Sequence, residues 1–233
     1  MDAETAKRKV AFFDIDGTVF RSSLLIELVE KLLKEGVFPN AARDMYALQH
    51  RAWEDREGSY EAYIGSVVRS FMLHIKGVYY GDLADIGRLV VAEQSKHVYR
   101  YTRDLIARLK KEGYFIVAIS QSPKTILDEF CSAYGFDKVY GRIYEIGPQD
   151  RFTGEMIDVH LLENKANIVA RVLEKESVTL RDSVGVGDTR SDIPLLEAVE
   201  RPICFNPNFD LYTHAKRMNW HVVVERKDVI YEL

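Results

Sequence analysis

Val10-Ala11-Phe12-Phe13-Asp14-Ile15-Asp16-Gly17-Thr18 is the stretch that decides the fold. Its four leading apolar residues, with no polar alternation, predict a strand buried on both faces, the pattern of a parallel sheet. The run then delivers two carboxylates, one residue apart, into a Gly-Thr turn. In open α/β sheets ligands bind where the strands end, so Asp14 and Asp16 stand where a ligand is expected. Two like charges this close repel, and a bound cation, a shared proton or both must offset them. A metal-assisted reaction with one carboxylate as nucleophile and the other as acid/base needs such an arrangement.

A second stretch repeats the pattern. Val184-Gly185-Val186-Gly187 leads into Asp188-Thr189-Arg190-Ser191-Asp192, again an apolar strand ending in glycine and acid. Glycine allows close backbone approach at that edge. With the strands of Asp14 and Asp188 as neighbours, three or four carboxylates converge, an oxygen-rich set that suits Mg²⁺. A calcium loop starting at Asp14 is excluded, because its glycine falls fourth rather than sixth and Leu25 stands where the twelfth-position glutamate belongs. No G-x-x-x-x-G-K-[ST] phosphate loop occurs.

Outward from these two stretches, strands are expected at Val10–Asp14, Tyr114–Ser120, Lys138–Tyr140, Ser183–Gly187, Pro202–Phe205 and His221–Val224. Helices are expected between them, at about Tyr99–Glu112, Pro123–Tyr134, Leu161–Lys175, Asp192–Glu200 and Asp210–Met218. This alternation predicts an α/β fold, a Rossmann-like parallel sheet with helices on both faces. Ser122-Pro123 reads as a helix N-cap followed by proline at the first helical position. Gly141–Asp158 reads as a β-hairpin turning at Gly147-Pro148-Gln149-Asp150. Residues 21–97 break the alternation and read as an inserted all-helical segment, so the α/β core comprises 1–20 and 98–233. Leu24, Leu25, Leu28, Leu32 and Leu33 recur there near helical spacing, among many aromatics that read as a small core.

The 233 residues suffice for one large α/β domain or a core plus cap, and 47% hydrophobic with 29% charged residues is an ordinary globular composition. A net charge of −4 argues against nucleic-acid binding. Cys131 and Cys204 sit in apolar contexts and read as reduced and buried. The charged stretch Met1–Lys9 has no apolar core of a signal peptide, and no run is long enough to span a membrane. A cytoplasmic location and no membrane partner are therefore expected.

In order along the chain come Asp14-x-Asp16-x-Thr18, Ser120, Lys165 and Gly187-Asp188-x-x-x-Asp192. This series resembles the four motifs of the haloacid dehalogenase superfamily, over nearly the whole chain outside the helical insert. The interval from Asp14 to Ser120 is more than twice that from Ser120 to Lys165, so the insert follows the first motif. An all-helical cap there is similar to the phosphoserine phosphatase-like branch.

The resemblance implies roles. Asp14 would attack phosphorus and form an aspartyl-phosphate; Asp16 would act as acid and then base. Mg²⁺ would be held by Asp14, the carbonyl of Asp16, Asp188 and, directly or through water, Asp192. Thr18 would fix the loop, and Ser120, its neighbour Gln121 and Lys165 would hold the phosphoryl group. The second acid favours a phosphomonoester of a small metabolite over a halide, because an alkoxide leaving group needs a proton. Phosphotransfer to an alcohol and phospho-ligand binding without turnover are the alternatives. Where phosphoserine phosphatases carry a substrate-gripping glutamate and arginine, this chain has Ser23 and, in a looser alignment, Val67 with Arg69 nearby, departures that argue against phosphoserine. Ser23 is the expected contact at the first of these positions, Trp53 and Tyr60 fall at apolar pocket positions, and Arg51, Arg56 and His74 are candidate polar contacts that read more readily as solvated helix faces. A hinge for cap opening is expected near Phe20-Arg21 and His97-Val98.

Overall fold

The protein is described by a computed structural model covering residues 7–233; of the Met1–Lys9 stretch, residues 1–6 lie outside the described residues. The expected apolar run forms β1 (Arg8–Asp14). The other strands are β2 (Phe115–Pro123), β3 (Lys138–Ile146), β4 (Phe152–Ile157), β5 (Val178–Gly187), β6 (Arg201–Phe205), β7 (His221–Arg226) and β8 (Val229–Glu232). They make one sheet in the order β4-β3-β2-β1-β5-β6-β7-β8. The six strands from β3 to β7 in that order run parallel, and the edge strands β4 and β8 are antiparallel.

β1 is central, which explains its unbroken apolar run. Ala11 and Phe13 enter the core on one sheet face, Val10 and Phe12 the core on the other, and all four are fully buried. The pairing Asp14↔Ile119 with β2 and Phe13↔Val186 with β5 brings the ends of three neighbouring strands level. The motif residues Asp14, Ser120 and Asp188 thus share one sheet edge.

Between β1 and β2 lie α1 (Leu24–Lys34), α2 (Ala41–Asp44), α3 (Ala47–Glu54), α4 (Tyr60–Ile75), α5 (Tyr80–Gln94) and α6 (Arg100–Lys111). Next come α7 (Lys124–Tyr134), α8 (Val159–Glu163), α9 (Lys165–Lys175), α10 (Ile193–Glu197) and α11 (Phe209–Met218). The leucines of the insert line the buried stripe of α1. They belong to the same apolar cluster as Phe13, Ile116 and Phe130, so helices of the insert and one face of the sheet share a core. The two connections of the insert run side by side: Phe20 bridges Val98, Arg21 N donates to His97 O at 2.9 Å, and Tyr99 N donates to Val19 O at 3.0 Å.

Several boundaries differ from the expectations. The helix expected over Leu161–Lys175 is two, because Asn164 leaves helical geometry (φ −138°) and its side chain caps a new start at Ala166 N. Lys165 thereby becomes the first residue of α9 and points inward. The helix expected over Asp192–Glu200 is a short turn, Arg190–Asp192, and then α10. The hairpin between β3 and β4 is present, with Gln149 and Asp150 both at positive φ. β8 has no counterpart in the sequence reading. Cys131 and Cys204 are free and buried, as expected. No described helix is long and apolar enough to cross a membrane.

Candidate active site

At the end of β1 the chain turns sharply through Gly17, at φ +82°. A Cβ there would collide with the Asp188 carboxylate, so glycine is needed for both conformation and space. Its amide donates to the carbonyls of Phe20 (2.9 Å) and Ser22 (3.0 Å), folding the loop back over the strand end. The buried Thr18 hydroxyl has no partner among the described residues; the loop is held instead by its carbonyl, which accepts from Thr102 Oγ1 at 2.9 Å.

This loop separates the two acids of the first motif. Asp14 Oδ1 accepts from Lys165 Nζ at 2.5 Å, and the same ammonium bonds Asp192 Oδ1. Asp16 turns away from that pair. Its Oδ1 accepts from Leu24 N at 2.6 Å, and its Oδ2 from the hydroxyls of Ser120 and, at 2.8 Å, Ser122. Ser122 also accepts from Leu25 N at 3.1 Å, tying the start of α1 to the end of β2. The expectation that Ser122 caps α7 is therefore corrected: Pro123 occupies the cap position, with no side-chain bond, and Ser122 orients Asp16. The strand period held the signal, because Ser120 and Ser122 are two apart and face the same side.

Asp14, Asp188 and Asp192 each offer a carboxylate oxygen within 4.8 Å of the other two. These hard, mostly buried oxygens fit a small divalent cation such as Mg²⁺. Asp192 is the most committed of the three: beyond Lys165, its Oδ2 accepts from Asp188 N (3.0 Å), Thr189 N (2.9 Å) and Thr189 Oγ1 (3.2 Å). It braces the loop, leaving Asp14 and Asp188 with oxygens to share. Gly187 makes room for this brace, since a Cβ there would lie 2.5 Å from Asp192 Cγ. The Asp16 carboxylate is outside the cluster, which leaves its backbone carbonyl as the atom to consider for a cation.

Burial, reinforced by the charges of Asp192 and Asp16 and opposed by Lys165, pushes the Asp14 carboxyl up to about 7. Burial likewise raises Asp188 well above the carboxylate range, with the charges of Asp14 and Asp192 adding to it. Burial also raises Asp16, against the bonds from Ser120, Leu24 and Ser122. For Lys165 burial works against the charge, but Asp14 and Asp192 outweigh it and hold the ammonium protonated. Carboxyls raised in the fold favour the native state below about pH 4, and that contribution is lost as pH rises toward 7. A divalent cation reverses the penalty by binding the ionised form. Saturating MgCl₂ is therefore expected to raise the melting temperature by about 5–10 °C at pH 7.5, and by less at pH 5.5. A shift that is equal at both values, or larger at the lower one, contradicts this reading.

Above the carboxylates lies a cavity of about 140 Å³. The core contributes Asp14, Asp16, Gln121, Ser122, Lys165, Asp188, Thr189 and Ser191; the insert contributes Ser23, Leu25, Tyr60, Ile64 and Val68. Ser23 is thus brought to the site, buried at the start of α1. Gln121 reaches the wall, but its amide is occupied, donating to Leu162 O at 2.8 Å and accepting from Arg142 Nε at 2.9 Å. Arg51, Arg56 and His74 do not line the cavity, nor do Trp53 and Val67. A larger groove of about 860 Å³ opens beside the starts of β6 and β7, and no motif residue lines it.

The haloacid dehalogenase-like hydrolase family model matches residues 11–197, and the chain belongs to that family. It is 24% identical over 222 residues to a histidinol-phosphatase of Neisseria meningitidis, covering 93% of this chain and 98% of the other. Among solved structures, a Bordetella pertussis protein of unknown function superposes with a TM-score of 0.71 at 21% identity, covering 93% of this chain and 98% of that one. A phosphoserine phosphatase in the form of a phospho-aspartyl intermediate analogue superposes with a TM-score of 0.61 at 19% identity, covering 95% of each chain. These likenesses establish the same fold, with the first motif and the last inside the matched span.

Proposed function

We propose that this chain is a Mg²⁺-dependent phosphomonoester hydrolase acting on a small phosphorylated metabolite through an aspartyl-phosphate on Asp14. The observation that carries the reading is the division of labour between the two acids of the first motif. Asp14 is bonded by an ammonium, which favours its ionised form against burial, beside the acidic cluster, while Asp16 faces away from that ammonium and is held by hydroxyls and an amide. The first suits a nucleophile kept ionised; the second suits an acid that must carry a proton and then accept one. The histidinol-phosphatase relative supports the same chemistry.

Asp14 attacks phosphorus in line; a bond forms from its carboxylate oxygen and the bond to the ester oxygen breaks. Asp16 delivers a proton to the departing alkoxide. The alcohol leaves, and Asp16 takes the proton of the water that attacks the acyl-phosphate, releasing phosphate and regenerating Asp14. Lys165, which lines the cavity beside Asp14, neutralises and orients the phosphoryl oxygens, while Ser120, buried and bonded to Asp16, positions that acid. Asp14 and Asp188 would hold a divalent cation, which would supply charge neutralisation for the phosphoryl group. Residues 21–97 act as the cap: Tyr60, Ile64 and Val68 of α4 close the cavity and keep bulk water out.

The test compares leaving groups. Wild-type protein is expected to release phosphate from alkyl phosphates and from p-nitrophenyl phosphate with MgCl₂, and to stop when the metal is chelated. Asp16→Asn is expected to lose about 10²–10⁴-fold in kcat/KM on the alkyl esters, and much less in kcat/KM on p-nitrophenyl phosphate, whose phenolate departs without a proton; kcat falls on both, because the hydrolysis of the acyl-phosphate also uses Asp16. An equal loss of kcat/KM on both substrates contradicts the acid role of Asp16.

A further inference from the structure

The charges around the cavity bear on which alcohol the site releases, an inference that rests on the hydrolase reading above. Three carboxylates, Asp14, Asp16 and Asp188, face the cavity against a single cationic side chain, Lys165, among the described residues that line it. That ammonium is already committed to Asp14 and Asp192. With Asp192, which shares Lys165, counted in, a divalent cation would still leave the site short of neutrality and the phosphate itself still to be balanced. No positive charge remains for a second anion on the substrate.

The opposite wall offers none either. The face of α4 over the site is Tyr60, Ile64 and Val68, residues four apart on one side of the helix. The first turn of α4 carries Glu61, and Ser59 Oγ accepts from Ala62 N at 3.1 Å, so its free amides are partly satisfied and its dipole is countered. Arg142 stands behind Gln121, bonded to it and to Met156 Sδ, and does not reach the cavity. Tyr60 lines the same cavity as Asp14, Asp16 and Asp188, and burial and then the charges of Asp16 and Asp188 suppress ionisation of its phenol. An aromatic face beside carboxylates receives a cation or a neutral group and rejects an anion.

We infer that the site selects phosphomonoesters whose alcohol is neutral or cationic and carries no carboxylate, with the Tyr60–Ile64–Val68 face of α4 as the specificity-determining wall. An amino-alcohol phosphate meets this description; a phosphorylated hydroxy acid or amino acid does not. A carboxylate brought into the cavity would be desolvated without a partner, which is among the most costly forms of mismatch.

O-phosphoserine and phosphoethanolamine test this cleanly, since they differ only by a carboxylate. For the wild-type protein with MgCl₂, kcat/KM is expected to favour phosphoethanolamine by about tenfold or more. Equal values, or a preference for O-phosphoserine, overturn the inference. Absence of turnover on both, with p-nitrophenyl phosphate also untouched, would instead refute the hydrolase reading on which it rests. Val68→Arg adds the missing cation at a half-buried position of the wall. It is expected to move the ratio toward O-phosphoserine by about tenfold, chiefly through KM; a folded variant with an unmoved ratio overturns the role of this wall. The wild-type pair decides the matter even if that variant fails to fold.

Discussion

Asp14→Asn is expected to lower turnover of any phosphomonoester by about 10⁴-fold or more, roughly 5 kcal/mol of transition-state stabilisation. The substitution keeps shape and size but removes the oxygen nucleophile. It also removes a negative charge from a place where burial already penalises it, so little stability should be lost. Lys165 keeps a partner in Asp192, and the strand pairing of β1 does not involve the side chain. The melting temperature is expected to stay within a few degrees of wild type. Unimpaired turnover in this variant contradicts the assignment of Asp14; collapse of the fold would mean that the side chain is structural.

Lys165→Met has a large effect of a different kind. The ammonium is 3% exposed and lies between two carboxylates that are themselves buried, Asp14 and Asp192. Methionine fills a similar volume but leaves both charges without their cation. Breaking a buried pair by removing one partner costs about 3–5 kcal/mol, equivalent to about 6–20 °C of melting temperature at this chain length. The defect should shrink in mild acid, because the Asp14 carboxyl, already raised to about 7, can then take up a proton. Turnover should fall as well, since Asp14 loses the group that keeps it ionised and oriented. Differential scanning calorimetry at pH 5.5 and 7.5 checks the stability effect. A melting temperature within 2 °C of wild type at pH 7.5 contradicts the structural weight given to this pair.

The sheet and its catalytic edge were legible because both motifs are read locally. An apolar run ending in Asp14 or Gly187-Asp188 needs no partner to be recognised, and the glycines at 17 and 187 have steric reasons visible in the fold. The insert was legible as helices, though not as a sharer of the core with Phe13 and Ile116, because periodicity marks an apolar face without naming what covers it. Ser122 departs from its sequence expectation for a chemical reason: Ser-Pro is a genuine helix-start signal, and only the fold reveals Asp16 within reach of the hydroxyl. The break at Asn164 is one polar residue inside a helical pattern, yet it turns Lys165 toward Asp14. β8 escaped notice because Lys227-Asp228 lacks the glycine or asparagine signature of a two-residue hairpin turn; Lys227 takes a positive φ of 55° without it. The cavity wall of Tyr60, Ile64 and Val68 depends on how α4 lies over the sheet edge, which no local pattern encodes.

Covalent capture of the phosphoryl group on Asp14 is the central claim, and it can be measured directly. Protein mixed with MgCl₂ and a phosphomonoester, quenched in acid within the first turnovers and digested, should yield one peptide carrying an added phosphoryl group, the peptide containing Asp14-Ile15-Asp16. The label should be lost on exposure to hydroxylamine, as an acyl-phosphate is, and should be absent from Asp14→Asn. A phosphoryl group on another residue, or steady turnover with no labelled peptide at any quench time, would contradict the account.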